Sequence, residues 1–165
     1  MLHLIPAPLH RLLYRAADRA RRLWWRIRRP ARTGVVVIAF DESGRVLLAR
    51  HSYGPPMWTL PGGGIDRGEL PEQAAVREIS EELGCGLTDL VLVDVDEQHV
   101  AGSLDRQQIF VARLVGEPVA DMREIVAIAW VDPDNLPEAC GRRSRRRIAH
   151  ALAHRRAAAA PSEQR

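Results

Sequence analysis

Lysine is absent from this chain of 165 residues, so all 24 basic residues are arginine. That uniformity reads as genomic codon bias rather than as a functional signal. Cysteine is nearly absent too. Cys85 and Cys140 are too few for a disulfide framework and point to a reducing compartment, which gives a cytoplasmic location as the expectation. No apolar run approaches the roughly 18 residues that a membrane span needs. The opening MLHLIPAPLH lacks a charged stretch followed by a long apolar one, so no secretory signal is expected. Disorder is also a poor fit, because 46% of the residues are hydrophobic and 27% charged. The length suits one domain with modest extensions.

Charge is unevenly placed. Residues 1–32 hold nine arginines and one acid, a net +8; residues 141–165 hold eight arginines and one acid, a net +7. The intervening residues 33–140 carry seven arginines against nineteen acids, a net −12. The small overall charge of +3 therefore hides an acidic centre between basic ends, and acidic clusters often hold cations.

Hydrophobic spacing divides the chain further. Residues 9–29 show an amphipathic helical rhythm, with Leu9, Leu12, Leu13, Ala16, Ala20, Leu23, Trp24 and Ile27 three and four apart, ended by Pro30. Two apolar runs, 34–40 and 45–50, flank the turn Asp41-Glu42-Ser43-Gly44 and predict a β-hairpin. A short strand at 58–60 precedes the loop Pro61-Gly62-Gly63-Gly64, whose glycines allow close backbone approach. A helix is predicted over 74–83, with Pro71 in a tolerant first-turn position and Gly84 as its stop. Strands at 90–98, 107–114 and 125–131 follow, then a turn with a short helix at 133–139 and an arginine-rich helix at 145–156. Strands on both sides of one central helix indicate a mixed α/β domain.

The central helix carries the chemistry. Glu78, Glu81 and Glu82 stand at i, i+3 and i+4, so at about 100° per residue their carboxylates share one face. Ala75, Val76, Ile79 and Leu83 are expected to face the core. Like charges so placed destabilise an isolated helix by a few tenths of a kcal/mol per pair, and a hard divalent cation would offset that repulsion. A solvated acidic face is the plainer reading of the triplet alone. Joined to a glycine loop by a helix of fixed length, the two features are far more specific, because the loop brings backbone groups to a phosphate or metal and the helix brings carboxylates.

These residues resemble a known motif. Gly63, Glu69 and the run Arg77-Glu78-Ile79-Ser80-Glu81-Glu82-Leu83-Gly84-Cys85 match every fixed position of the Nudix box, G-x5-E-x7-R-E-U-x-E-E-x-G-U with U aliphatic. Cys85 replaces the usual last aliphatic residue, a small apolar substitute. The resemblance implies a Nudix hydrolase: an α/β/α sandwich with a mixed central sheet over residues 33–140, flanked by the basic terminal helices. It implies cleavage of a pyrophosphate bond in a nucleoside diphosphate linked to another moiety, with Mg²⁺ or Mn²⁺. Carried over by position, Glu78, Glu81 and Glu82 would be metal ligands together with the carbonyl of Gly62, and one glutamate would orient or deprotonate water. Glu69 and Arg77 would be a structural pair within the box, along with Gly63 and Gly84. Glu124, before the last strand, is the candidate further acid, with Asp121 competing. Arg50 is a candidate phosphate contact. His51, Tyr53 and Trp58 are candidate base-stacking groups, core packing being the alternative for Trp58; His99 reads as a polar strand end.

Substrate marks are missing. The positions where related subfamilies tend to carry a proline or a tyrosine beyond the box are here Val100, Ala101, Gly102 and Ser103. A nucleoside triphosphate, a sugar nucleotide or something smaller is left. Residues 1–32 could pack on the domain or on a second subunit as a homodimer contact, or lie on an anionic membrane; no sequence-specific nucleic acid is expected, since no base-reading motif accompanies the arginines. The rival class is a Nudix-fold binding module without catalysis, which loss of a ligand glutamate would favour. All three are present.

Overall fold

The computed structural model describes residues 32–100 and 103–159, with residues 13, 16 and 17 of the N-terminal segment. The helix expected over 9–29 and the last residues of the chain lie outside what is described. Five strands and two helices follow in the order β1 (Arg32–Ala39), β2 (Val46–His51), α1 (Pro71–Leu83), β3 (Gly86–Val100), β4 (Ser103–Val115), β5 (Ile125–Val131) and α2 (Arg142–Ala159).

The run from Val35 to Phe40 is apolar at every position because β1 is covered on both faces. Its odd residues Val35, Val37 and Ala39 join Ala75, Ile79 and Leu83 of α1 and Phe110 of β4 in one core. Its even residues Val36, Ile38 and Phe40 join Leu48, Ile109 and, from α2, Ile148 and Ala151 in another. The period-two alternation of a strand thus builds an α/β/α sandwich, with α2 as one of its layers. No described helix is long and apolar enough to cross a membrane.

Strand pairing departs from the expected hairpin. The turn at Asp41 forms, with its carboxylate accepting the Arg45 N–H at 2.8 Å, but the two strands meet only at the bridge between Phe40 and Val46. They then diverge into different sheets. β1 runs parallel to β4, which pairs antiparallel with β3, whereas β2 pairs antiparallel with β5. The segment at 58–60 forms single bridges to Ala49 and Cys140 rather than a strand, and 133–139 holds turns without a helix. β5 has the predicted bounds.

α1 begins at Pro71, whose missing N–H costs nothing in a first turn, and ends where Gly84, at φ 66°, donates its N–H to Ser80. The basic face of α2 meets the acidic sheet: Arg146 and Arg147 pair with Asp96 at 2.6 and 2.9 Å, and Arg143 with Asp105 at 3.1 Å.

Candidate active site

The glycine loop lies along β1. Val37 donates its N–H to Pro61 at 3.0 Å and Val35 to Gly63 at 2.9 Å, while Ile65 donates to Thr33 at 3.2 Å. Between those two contacts Gly62 turns its own N–H away from β1 and onto a carboxylate oxygen of Glu82, at 3.1 Å. Only glycine serves here: Gly62 has φ +132°, and a Cβ would sit 2.3 Å from the Val35 carbonyl oxygen. At Gly63 a Cβ would sit 2.5 Å from the Glu78 carboxylate. Loop and helix are therefore in direct contact at the two acids.

Arg77 fixes that contact. Its guanidinium grips Glu69 through two bonds, at 2.8 and 2.9 Å, and also donates to the Gly64 carbonyl at 2.9 Å and to Glu78 at 2.8 Å. The Asp66 N–H adds a further bond to Glu69. The guanidinium first, then this N–H, holds the Glu69 carboxyl down at about 2.

The three helix acids do not share one environment. Glu81 is 63% exposed at its side chain, whereas Glu82 is only 3% exposed as a residue. Val76, expected in the core, is 44% exposed. Helical geometry accounts for Glu82, which seven residues on from Ala75 lies about 20° from it around the axis; it does not account for Val76, which stands equally close to the fully buried Leu83. Burial pushes the Glu82 carboxyl well above its usual range; the charges of Glu124, Glu78 and Asp121 add to this, and the Gly62 N–H opposes it. Glu78 is raised too, by burial first and then by Glu81 and Glu124, against the pull of Arg77.

Glu124 and Asp121 take different parts. Asp121 Oδ1 accepts the N–H groups of Arg123, Glu124 and Ile125 at 2.8 to 3.0 Å, so it closes the turn before β5. Glu124 instead turns toward the helix acids, held by a hydrogen bond from the Tyr53 hydroxyl. A cleft of about 640 Å³ opens over this group, lined by the glycine loop, Tyr53, Glu78, Glu81 and Glu124, together with Arg32, Asp105 and Gln107.

Arg50 stands at the exposed end of β2, its guanidinium 5.5 Å from the Trp58 ring centre, and is not among the cleft-lining residues. His51 lies beside Tyr53 and brings a ring nitrogen within 4.8 Å of carboxylate oxygens of both Glu82 and Glu124. Sequence reasoning passed over Arg32, Asp105 and Gln107. Asp105 and Gln107, two apart, share one face of β4, but Arg106 and Gln108 are polar as well, so the sequence carries no alternation that singles them out.

The NUDIX domain family model matches residues 30–152. A Bacillus subtilis protein bearing the name 8-oxo-dGTP diphosphatase is 37% identical over 105 residues, covering 63% of this chain and 68% of that protein. A Rhodospirillum rubrum RNA pyrophosphohydrolase is 37% identical over 126 residues, covering 65% of this chain and 76% of the other. Among solved structures, a MutT NUDIX hydrolase from Burkholderia pseudomallei superimposes with a TM-score of 0.67 at 31% identity, over 73% of this chain and 97% of that one. The chain belongs to the Nudix hydrolase family. It is an enzyme of the pyrophosphohydrolase type.

Proposed function

We propose that this enzyme cleaves the pyrophosphate bond of a nucleoside diphosphate joined to another moiety, a nucleoside triphosphate or a sugar nucleotide, with Mg²⁺ as cofactor and Mn²⁺ able to replace it. One observation carries the reading. Glu78 and Glu124 line a glycine-walled cleft and the buried Glu82 stands beside Glu124, with burial and mutual repulsion raising the Glu82 and Glu78 carboxyls. Such a set is costly alone and is stabilised by a divalent cation, and its all-oxygen members suit Mg²⁺.

Glu78, Glu81 and Glu82, with the Gly62 carbonyl and with Glu124 opposite, would hold the cation. When bound, it would screen the substrate's charge, polarise the P–O bonds and acidify coordinated water. The protein's own groups do the rest. Arg77 and Glu69 keep the glycine loop at a fixed distance from α1. Tyr53 aims Glu124 into the cleft. Glu78, Glu81 or Glu124 accepts the proton of the attacking water. Residues 1–32, at +8, supply attraction to an anionic membrane surface or a face for a second subunit, consistent with a cytoplasmic enzyme at the membrane periphery.

A hydrolysis screen tests this. It would cover nucleoside triphosphates, dinucleotides and sugar nucleotides, with 8-oxo-dGTP and 5′-triphosphorylated RNA added because relatives bear those names, each with and without Mg²⁺. Cation-dependent release of a phosphate product supports the proposal. A folded protein that binds nucleotides and turns none over would favour the binding-module alternative.

A further inference from the structure

The last residue of β2 falls at an irregularity. The register of β2 against β5 shifts between Arg50 and His51, so that His51 lies opposite Ile125, immediately after Glu124. The backbone around this point is tied down, with Ser52 donating its N–H to the Glu124 carbonyl at 2.7 Å. A bulge re-aims a side chain out of the strand's alternation. Here the extra residue, Val126, lies on β5, so it is the Glu124 end of that strand that is drawn toward His51: one ring nitrogen of His51 and one carboxylate oxygen each of Glu82 and Glu124 lie within 4.8 Å of one another.

We infer that His51 is a further ligand of the cation that the acids hold, so that one metal position has a mixed donor set of one imidazole nitrogen and two carboxylates. This rests on the proposal that the glutamates bind a divalent cation. Three atoms within 4.8 Å of one another lie at most about 2.8 Å from a common centre, and metal bonds are about 2.1 Å, so side-chain adjustments of about 1 Å bring the three atoms onto one ion. Donor capacity is sufficient. A carboxylate has about four acceptor sites, so the hydrogen bonds from Gly62 to Glu82 and from Tyr53 to Glu124 leave each acid an oxygen to offer. Imidazole suits Zn²⁺, Fe²⁺ and Ni²⁺, whereas Mg²⁺ and Mn²⁺ are suited by carboxylate and water oxygens. The mixed set therefore gives this enzyme a preference for a borderline transition ion at the position on the Glu124 side, beyond what the Nudix-box carboxylates would give alone.

The test uses the full chain stripped with chelator and reloaded with Mn²⁺ or Mg²⁺. Pulsed electron paramagnetic resonance of the Mn²⁺ form should show coupling to a ¹⁴N nucleus in the wild type and none in His51→Gln. Calorimetric titration of the stripped protein should show Ni²⁺ binding weakened about tenfold or more in His51→Gln, while Mg²⁺ binding changes less than about threefold. Mn²⁺ bound by the wild type without nitrogen coupling overturns the inference and leaves the carboxylate site standing. So does a Ni²⁺ to Mg²⁺ affinity ratio that His51→Gln leaves unchanged. A wild type that binds none of these ions overturns both this inference and the proposal beneath it. The wild-type spectrum does not depend on whether the variant folds.

Discussion

Replacing Glu82 by glutamine should make the metal-free protein more stable while removing its activity. Glu82 and Glu124 bring carboxylate oxygens within 4.8 Å. At that distance two full charges repel by about 3 kcal/mol for an effective dielectric constant of about 20. Water at the cleft lowers this, so a gain of about 2 kcal/mol, or about 4–8 °C in melting temperature for a chain of this size, is expected from the amide. Glutamine keeps the oxygen that accepts the Gly62 N–H and offers an NH₂ toward Glu124. The pH dependence follows from the direction of the shift. The folded Glu82 carboxyl is raised above its unfolded value, so between the two values the native state holds the extra proton. Wild-type stability relative to the variant is then greatest in acid, near or below about 4.3, and falls as pH rises through the folded value. Melting curves of both proteins in EDTA at pH 5, 7 and 9 would show a gap that opens with pH. Saturating cation should reverse the order, because an ion at 100 times its dissociation constant stabilises by about 2.7 kcal/mol only the protein that binds it. Turnover should fall at least about a hundredfold, the loss of several kcal/mol of charge stabilisation. A variant that melts at or below the wild type at pH 9 in EDTA would refute the uncompensated buried charge. Activity within a few fold of wild type would refute the ligand assignment.

Arg77→Ala should lower both the melting midpoint and activity; since Glu69 is held at about 2, the stability it gains from Arg77 is present above its unfolded value and is lost as pH falls toward 2, so the gap between the two melting curves should narrow on acidification. Gly62→Ala should cost about 1–3 kcal/mol in denaturant unfolding, because the clash is with the Val35 backbone at a positive φ. Gly63→Ala meets only the Glu78 side chain, which can move, so kinetics should record a loss of turnover larger than the loss of stability. Deleting residues 1–31 should leave turnover per site nearly intact, since each assigned ligand lies between residues 51 and 124, while liposome sedimentation at low salt should fall and added salt should mimic the deletion; a stable, soluble truncate with most of its turnover lost would contradict this.

Where local chemistry decides structure, the sequence is readable. Gly84 ends α1, Pro71 opens it, and β5 occupies the predicted residues. The turn at Asp41 was equally legible, yet the hairpin built on it was not correct, because turn chemistry fixes the bend and not the partner. β1 pairs with β4, and Arg32 lies opposite Asp105, a choice made by burial of both faces of β1 across a separation no short window spans.

The acid face repeats that division between local and non-local. Spacing by three and four puts Glu78, Glu81 and Glu82 together, but which of them is buried depends on how α1 rolls on the sheet. The wheel holds part of the answer: Glu82 lies about 20° from Ala75, on the side a roll that buries Ala75 turns inward, although the same spacing leaves Val76 exposed beside buried Leu83. Asp121 and Glu124 could also be separated by turn chemistry, since an aspartate that accepts N–H groups two to four residues ahead is spent on the backbone, and the later acid is left to turn toward the helix. No such rule reaches His51 or Tyr53. Tyr53 bonds a glutamate 71 positions away, and His51 meets the acids because β5 carries an extra residue, Val126, where it begins opposite the end of β2. The site joins two parts of different origin: a loop and helix that one short motif specifies, and a strand end and turn that only the folded sheet brings to it.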